Sequence, residues 1–327
     1  MGLFDGFRKK DDTAAPNDNS AVEEVVAAQE DPEEDADLDE ELDEEPIDQG
    51  EMPEVKTTPI KTMDEKLPVD HVIGSTKIIS IVNQKGGVGK STTAVNLSAA
   101  LGEMDRAVLV VDLDPQGNTT SGLGVNKSQV KHSVYDVLLD DCNAEDAIIP
   151  DVCKGLDLLP ATIDLAGAEV ELVNEMAREN RLKSALGALR GKYDYIFIDC
   201  PPALGLLTVN ALVASDKVLI PIQCEFYALE GVTKLLDSMK RVKNALNPSL
   251  TTFGVLLTMH DSRTILSRQV ADDVREYFGD DVFDTIIPRA VKLSEAPSFG
   301  QPITEYDPEG RGGQAYIALA KEVIARG

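Results

Sequence analysis

The chain has 327 residues, of which 43% are apolar, 27% charged and 5% aromatic, with no Trp; that is enough for one large or two ordinary domains. Its formal charge is −27, and residues 1–70, with 6 Lys/Arg against 24 Asp/Glu, hold −18 of it. No apolar run approaches the roughly 20 residues that span a bilayer, the start MGLFDGFRKK has no apolar leader core, and Cys142, Cys153, Cys200 and Cys224 form no CxxC pair, so a membrane-spanning, exported, disulfide-stapled or zinc-stapled protein is not expected.

The first ten residues place Leu3, Phe4 and Phe7 at helical spacing ahead of Arg8, Lys9 and Lys10. Residues 3–10 therefore read as a short amphipathic start, suited to docking on a polar partner or a membrane surface. Gly6 stands where the myristoylation pattern needs Ser or Thr, so a lipid anchor is not expected. From there to about residue 70 the chain is rich in Asp, Glu, Pro, Thr and Ala. Such a segment buries too little apolar surface to offset its ordering entropy, and residues 1–70 are expected to form a disordered acidic tail.

At Lys77 the pattern changes. Apolar, β-branched runs at 77–83, 107–112, 156–160, 194–199, 217–222, 251–258 and 282–288 read as strands. Helix-like segments follow at 91–104, 163–190, 205–214, 228–246, 265–278 and 313–326. No internal repeat is present. Short apolar strands alternating with helices predict a single domain over 71–327, an α/β doubly wound, mostly parallel sheet with helices on both faces. Ligands are expected at the carboxyl ends of its strands.

Gln84–Thr92, QKGGVGKST, falls between the first strand and the first helix. That is the context of a phosphate-binding P-loop. Gly86, Gly87 and Gly89 allow the backbone, with Val88, to approach phosphate closely, and the helix start at Lys90, Ser91 and Thr92 supplies N–H groups and positive potential. Lys90 is placed to reach the β and γ phosphates, and the Ser91 hydroxyl to ligate Mg2+. The usual first glycine is replaced by Gln84, beside a second lysine, Lys85. Lys85 offers an extra cation either to its own nucleotide or to one held by a second subunit. Two carboxylate segments complete the set. Asp199 ends the run DYIFID and is read as a Mg2+ ligand; Asp112 and Asp114, in DLDPQGN, are read as orienting the attacking water.

KGGVGKST, DLDPQGNTTSGLG, LPATIDLAGAEVEL, YDYIFIDCPPALGLLTVNAL, VLIPIQCEFYALEG, GVLLTMHDSRT and IPRAVKLSEAPSFGQPI together resemble the ParA/Soj family of chromosome- and plasmid-partitioning ATPases, a deviant Walker A group of P-loop proteins. The resemblance spans about residues 77–326 and leaves the acidic tail outside. It implies an ATPase with ATP and Mg2+ as cofactors. Lys85 matches the signature lysine that contacts the partner subunit's nucleotide in an ATP-bound homodimer, and Gly87 the point where the two loops face each other. Lys90, Ser91, Asp114 and Asp199 match the phosphate lysine, the Mg2+ ligand, the water-positioning aspartate and the Walker B aspartate. Pro288 lies in the segment that packs on adenine. Arg263 and Lys292 match arginine positions used for non-specific contact with duplex DNA; Lys292 keeps the charge but not the planar fork. The resemblance further implies a ParB-like centromere-binding partner and a cytoplasmic, nucleoid-associated location.

Rival readings are a related ATPase that positions other cargo, a MinD-like membrane-associated ATPase, and an iron–sulfur reductase. The second has only residues 3–10 as an anchor, and the third needs cysteines placed to bridge a cluster between subunits, whereas Cys200 and Cys224 sit in segments that the partitioning family shares. A tethered polyanion of this charge is expected to compete with DNA for a basic face. Deleting residues 1–70 is therefore expected to tighten binding to duplex DNA at low salt, and unchanged binding by the truncated protein would remove that role for the tail.

Overall fold

The computed structural model describes residues 56–58, 75–225 and 230–327. The amphipathic start at 3–10 and most of the acidic tail lie outside the described residues. Seven strands form one sheet in the order β3-β4-β2-β5-β1-β6-β7: β1 (Lys77–Ile81), β2 (Val108–Asp112), β3 (Ile149–Cys153), β4 (Leu156–Leu159), β5 (Tyr195–Asp199), β6 (Lys217–Gln223) and β7 (Thr251–Thr258). All neighbours pair in parallel except β3, which runs antiparallel to β4. The helices are α1 (Lys90–Glu103), α2 (Asn118–Gly122), α3 (Val134–Leu138), α4 (Ala144–Ala147), α5 (Leu165–Glu171), α6 (Arg181–Gly187), α7 (Leu206–Ala214), α8 (Glu230–Ala245), α9 (Ile265–Phe278), α10 (Val291–Glu295), α11 (Ile303–Tyr306) and α12 (Arg311–Arg326).

Alternation along the central strands divides the core into two layers. Val108 and Val110 of β2, with Tyr195 and Phe197 of β5, face Leu97, Leu101, Tyr316, Leu319 and Val323 of α1 and α12. Leu109 and Val111, with Ile196 and Ile198, face the opposite layer, which includes Leu165, Leu186, Leu207, Leu235 and Val270. Both faces of the sheet are thus covered, which is why its strands read as continuous apolar runs. No helix among the described residues is long and apolar enough to cross a membrane.

Four expectations differ from the structure. Ile149–Cys153 is a strand that the pattern does not show, because Pro150 and the left-handed Asp151 (φ 52°) read as a turn. Proline is tolerated there because β3 lies at the sheet edge. Residues 282–288 form no strand. They run beside β7 through single contacts, Phe283 N–H to the Val255 carbonyl and Ile287 N–H to the Leu257 carbonyl, each 2.9 Å. Residues 163–190 form two short helices, α5 and α6, broken where Ala177 turns left-handed (φ 52°). Finally, Lys56–Thr58, inside the expected tail, lie against the domain: the Thr58 N–H donates to the Gly124 carbonyl at 3.0 Å.

Candidate functional site

The parallel strands bring β1, β2, β5, β6 and β7 to one carboxyl edge, and the glycine-rich loop stands over it. Gly87 (φ 74°) and Gly89 (φ 89°) are both left-handed, a conformation that costs any residue with a Cβ. A Cβ built on Gly86 or Gly87 meets nothing within 4 Å, so this stretch of backbone borders open space. The loop is clipped from two sides. The Asn83 side chain accepts the Lys85 N–H at 3.0 Å and donates to the Pro221 carbonyl at 2.7 Å. The Thr258 hydroxyl, at the end of β7, donates to the carbonyl of the buried Val88 at 2.9 Å. α1 then starts at Lys90 with its free N–H groups directed into the cradle, where an anion is favoured. Ser91 and Thr92 lie half-buried in its first turn.

Lys90 is 6% exposed, and its ammonium donates back to the Lys85 carbonyl at 3.3 Å. Burial lowers its pKa, while the Asp199 and Asp114 carboxylates pull the other way. Lys85 is more exposed, and its ammonium stands 3.7 Å from the Glu225 carboxylate. Arg289 approaches the same carboxylate at 3.4 Å.

The acidic side of the site comes from strand register. Asp112 and Asp199 are direct partners at the ends of β2 and β5, and neither is exposed. The Thr120 N–H and hydroxyl donate to Asp112 at 2.8 and 2.7 Å. The Thr119 hydroxyl donates to one Asp199 oxygen at 2.8 Å, while the other, Oδ1, is buried without a hydrogen-bond partner. Burial, then the neighbouring Asp112, push the Asp199 pKa upward, and burial does the same to Asp112. The Ser91 and Thr119 hydroxyls favour the ionised Asp199. A buried carboxylate with an orphaned oxygen, beside a serine hydroxyl and under an open glycine cradle, fits a Mg2+–phosphate group: it lacks one positive charge and one ligand.

Asp114 is 7% exposed and lies just past β2, where its Oδ1 accepts the Gln116 N–H at 2.9 Å. Asp112, by contrast, accepts from Thr120 and from the Asp114 N–H (3.3 Å), and so anchors α2. Pro288 forms a bridge with His260, two residues beyond Thr258. The two candidate DNA contacts lie on separate elements. Arg263 is bound at its ε and η nitrogens by Asp261 (3.1 and 3.0 Å), and Lys292 of α10 pairs with Asp307 at 3.2 Å. Thr119, Thr120, Thr258 and Asn83 are the site residues that sequence reasoning missed. For the two α2 threonines a signal was present, since they follow directly on the DLDPQGN segment.

A family model described as an AAA domain matches residues 76–252. The sporulation initiation inhibitor protein Soj of Bacillus subtilis is 58% identical over 251 residues, covering 77% of this chain and 99% of that protein. The chain belongs to the ParA/Soj family. The chromosome partitioning protein ParA of Caulobacter vibrioides is 52% identical over 252 residues, 76% of this chain and 94% of the relative. Among solved structures, a cobyrinic acid a,c-diamide synthase from Mycobacterium smegmatis with bound ATP analog and magnesium superposes with a TM-score of 0.67 at 41% identity, covering 75% of this chain and 93% of that one. The P-loop and both carboxylate segments of this ParA/Soj chain fall within the matched region.

Because folding raises the Asp199 pKa, the buried charge opposes folding increasingly as pH rises through the window between about 4 and 7. In nucleotide-free protein, Asp199→Asn should raise stability by about 1–3 kcal/mol at pH 8 and by little at pH 4. Thermal denaturation at the two pH values checks this; equal gains at both would show that the carboxylate charge is not the cost.

Proposed function

We propose that this protein is a chromosome-partitioning ATPase in which ATP acts as the switch for a DNA-binding homodimer. The observation that carries the reading is the orphaned, buried Asp199 Oδ1 beside Ser91 and opposite Lys90, under the open Gly86–Gly89 backbone. Bound there, Mg2+ held by Ser91 and Asp199 would supply the positive charge that offsets the phosphates. Lys90 leaves the Lys85 carbonyl and binds the β and γ phosphate oxygens, while the loop N–H groups hold them from below. Asp114 stands at the edge of the site, with a carboxylate that orients water for in-line attack on the γ-phosphate. Pro288 belongs to the segment that packs on adenine.

Lys85 is the residue that reaches the partner subunit's nucleotide. Its tie to Glu225 is exposed and 3.7 Å long, an interaction of about 0–1 kcal/mol, so little opposes its release. The dimer doubles the basic groups around Arg263, Lys292, Arg268 and Arg289, making a phosphate-binding face with strong salt dependence. Hydrolysis, stimulated by a ParB-like centromere-binding protein, opens the dimer and frees the DNA, in a cytoplasmic cycle on the nucleoid. A membrane role finds no support in α12, whose Tyr316, Leu319, Ala320 and Val323 are buried in the domain.

The test is binding of the full-length protein to arbitrary duplex DNA with ATP, with ADP and without nucleotide. Binding is expected with ATP alone and is expected to fall at least about tenfold, roughly 1.4 kcal/mol, in Lys85→Ala. ATP-driven dimerisation without DNA binding would keep the ATPase and overturn the roles of Arg263 and Lys292.

A further inference from the structure

Three residues of the segment preceding β1 are held against the domain, and the phosphate site does not account for them. The Lys56 N–H donates to the Phe299 carbonyl at 2.7 Å, and the Thr58 N–H to the Gly124 carbonyl at 3.0 Å. The Thr58 hydroxyl donates to the Leu123 carbonyl at 2.7 Å, and Thr58 is buried. The Lys56 ammonium reaches the Val152 carbonyl of β3 at 3.1 Å and the Glu305 carboxylate of α11 at 3.0 Å.

The seat for this segment is shaped to take a backbone. Gly124 (φ 75°) and Gly300 (φ 64°) face each other across it, and a Cβ on Gly300 would come within 2.6 Å of the Gly124 Cα. A Cβ on Gly124 would stand 2.8 Å from the Lys56 carbonyl oxygen, and one on Gly300 2.6 Å from the same atom. Any side chain at either position closes the slot. An extended chain that fills a slot with paired main-chain hydrogen bonds is a common mode of peptide recognition.

One wall of the slot is the end of α2, the helix whose threonines bind the two buried carboxylates. Leu123 and Gly124 follow directly on α2, whose Thr119 and Thr120 bind Asp199 and Asp112. α2 has five residues, too few to hold its own geometry without tertiary bonds. We propose that Lys56–Thr58 is a strap that fixes the end of α2 to Phe299 and α11, and so positions Thr119 and Thr120 against the two carboxylates. Thr58 is its positioning residue, acting through the Leu123 carbonyl. The inference rests on the reading of the site as one for Mg2+ and ATP. It also gives the segment before β1 a direct mechanical link to the nucleotide.

The experiment uses the full-length chain with Thr58→Val, which removes the hydroxyl and keeps the shape, Thr58→Ser, which restores it, and Lys56→Met. The first readout is amide hydrogen exchange of the nucleotide-free protein. Thr58→Val should speed exchange across residues 119–125 about tenfold, leaving β5 and β6 unchanged. The second is the Mg2+ concentration that gives half-maximal thermal stabilisation by ATP, expected to rise about threefold. Thr58→Ser should return both to the parent values, and Lys56→Met should shift both in the direction of Thr58→Val. Unchanged exchange in Thr58→Val and Lys56→Met overturns the strap, as does faster exchange with an unchanged Mg2+ requirement. A parent protein that binds no ATP instead overturns the proposed function, and the exchange comparison then decides the strap by itself.

Discussion

The structure is organised around two carboxylates that the sheet forces together. Asp112 and Asp199 are register partners on adjacent parallel strands, and both are fully buried. Like charges at that spacing in a water-poor site repel strongly. The fold relieves one of them with the Thr120 N–H and hydroxyl, and supplies one oxygen of the other with the Thr119 hydroxyl. The remaining Asp199 oxygen has no protein partner among the described residues. The protein therefore carries an electrostatic deficit under the glycine loop, one that a bound cation would offset. Ligand binding and stability are linked through that deficit.

The loop above it is set by constraints from distant parts of the chain. Left-handed Gly87 and Gly89 bend the backbone over the site, but Asn83 and Thr258 determine where that bend is held. Lys90 donates to a loop carbonyl at 3.3 Å and Lys85 stands 3.7 Å from an exposed carboxylate. The α2 threonines connect this edge of the sheet to the Gly124–Gly300 slot, so the site is braced from outside the phosphate loop.

Charge on the outer surface is also organised in pairs. Arg263 is forked onto Asp261, which holds that carboxyl well below the usual range, at about 2, and Lys292 meets Asp307. Arg263 and Lys292 thus each have an acidic neighbour that any other anion would have to displace. Beyond residue 70 the chain carries 34 Asp/Glu against 25 Lys/Arg, so positive potential on its surface is confined to local clusters.

Features that depend on neighbouring residues were legible in the sequence. The P-loop, with its glycines and Lys85–Lys90–Ser91 spacing, the central strands and the two-sided covering follow from local pattern, because backbone dihedrals and burial are written in residue type. Asp199 was legible as a strand-end carboxylate for the same reason. The edge strand Ile149–Cys153 was not, because Pro150 is allowed only by its place at the edge of the sheet. Residues 282–288 carry a strand composition, yet they pair with β7 only through isolated contacts. Residue type and spacing alone mark the glycine loop, its two lysines and the strand-end carboxylates as candidate ligands for phosphate and a cation. Tertiary structure alone decided that Asp112 holds α2 while Asp199 stays open, that Thr258 pins the loop from 170 residues away, and that Lys56–Thr58 fill a glycine slot. Those outcomes depend on strand register and close backbone approach, which no local pattern specifies.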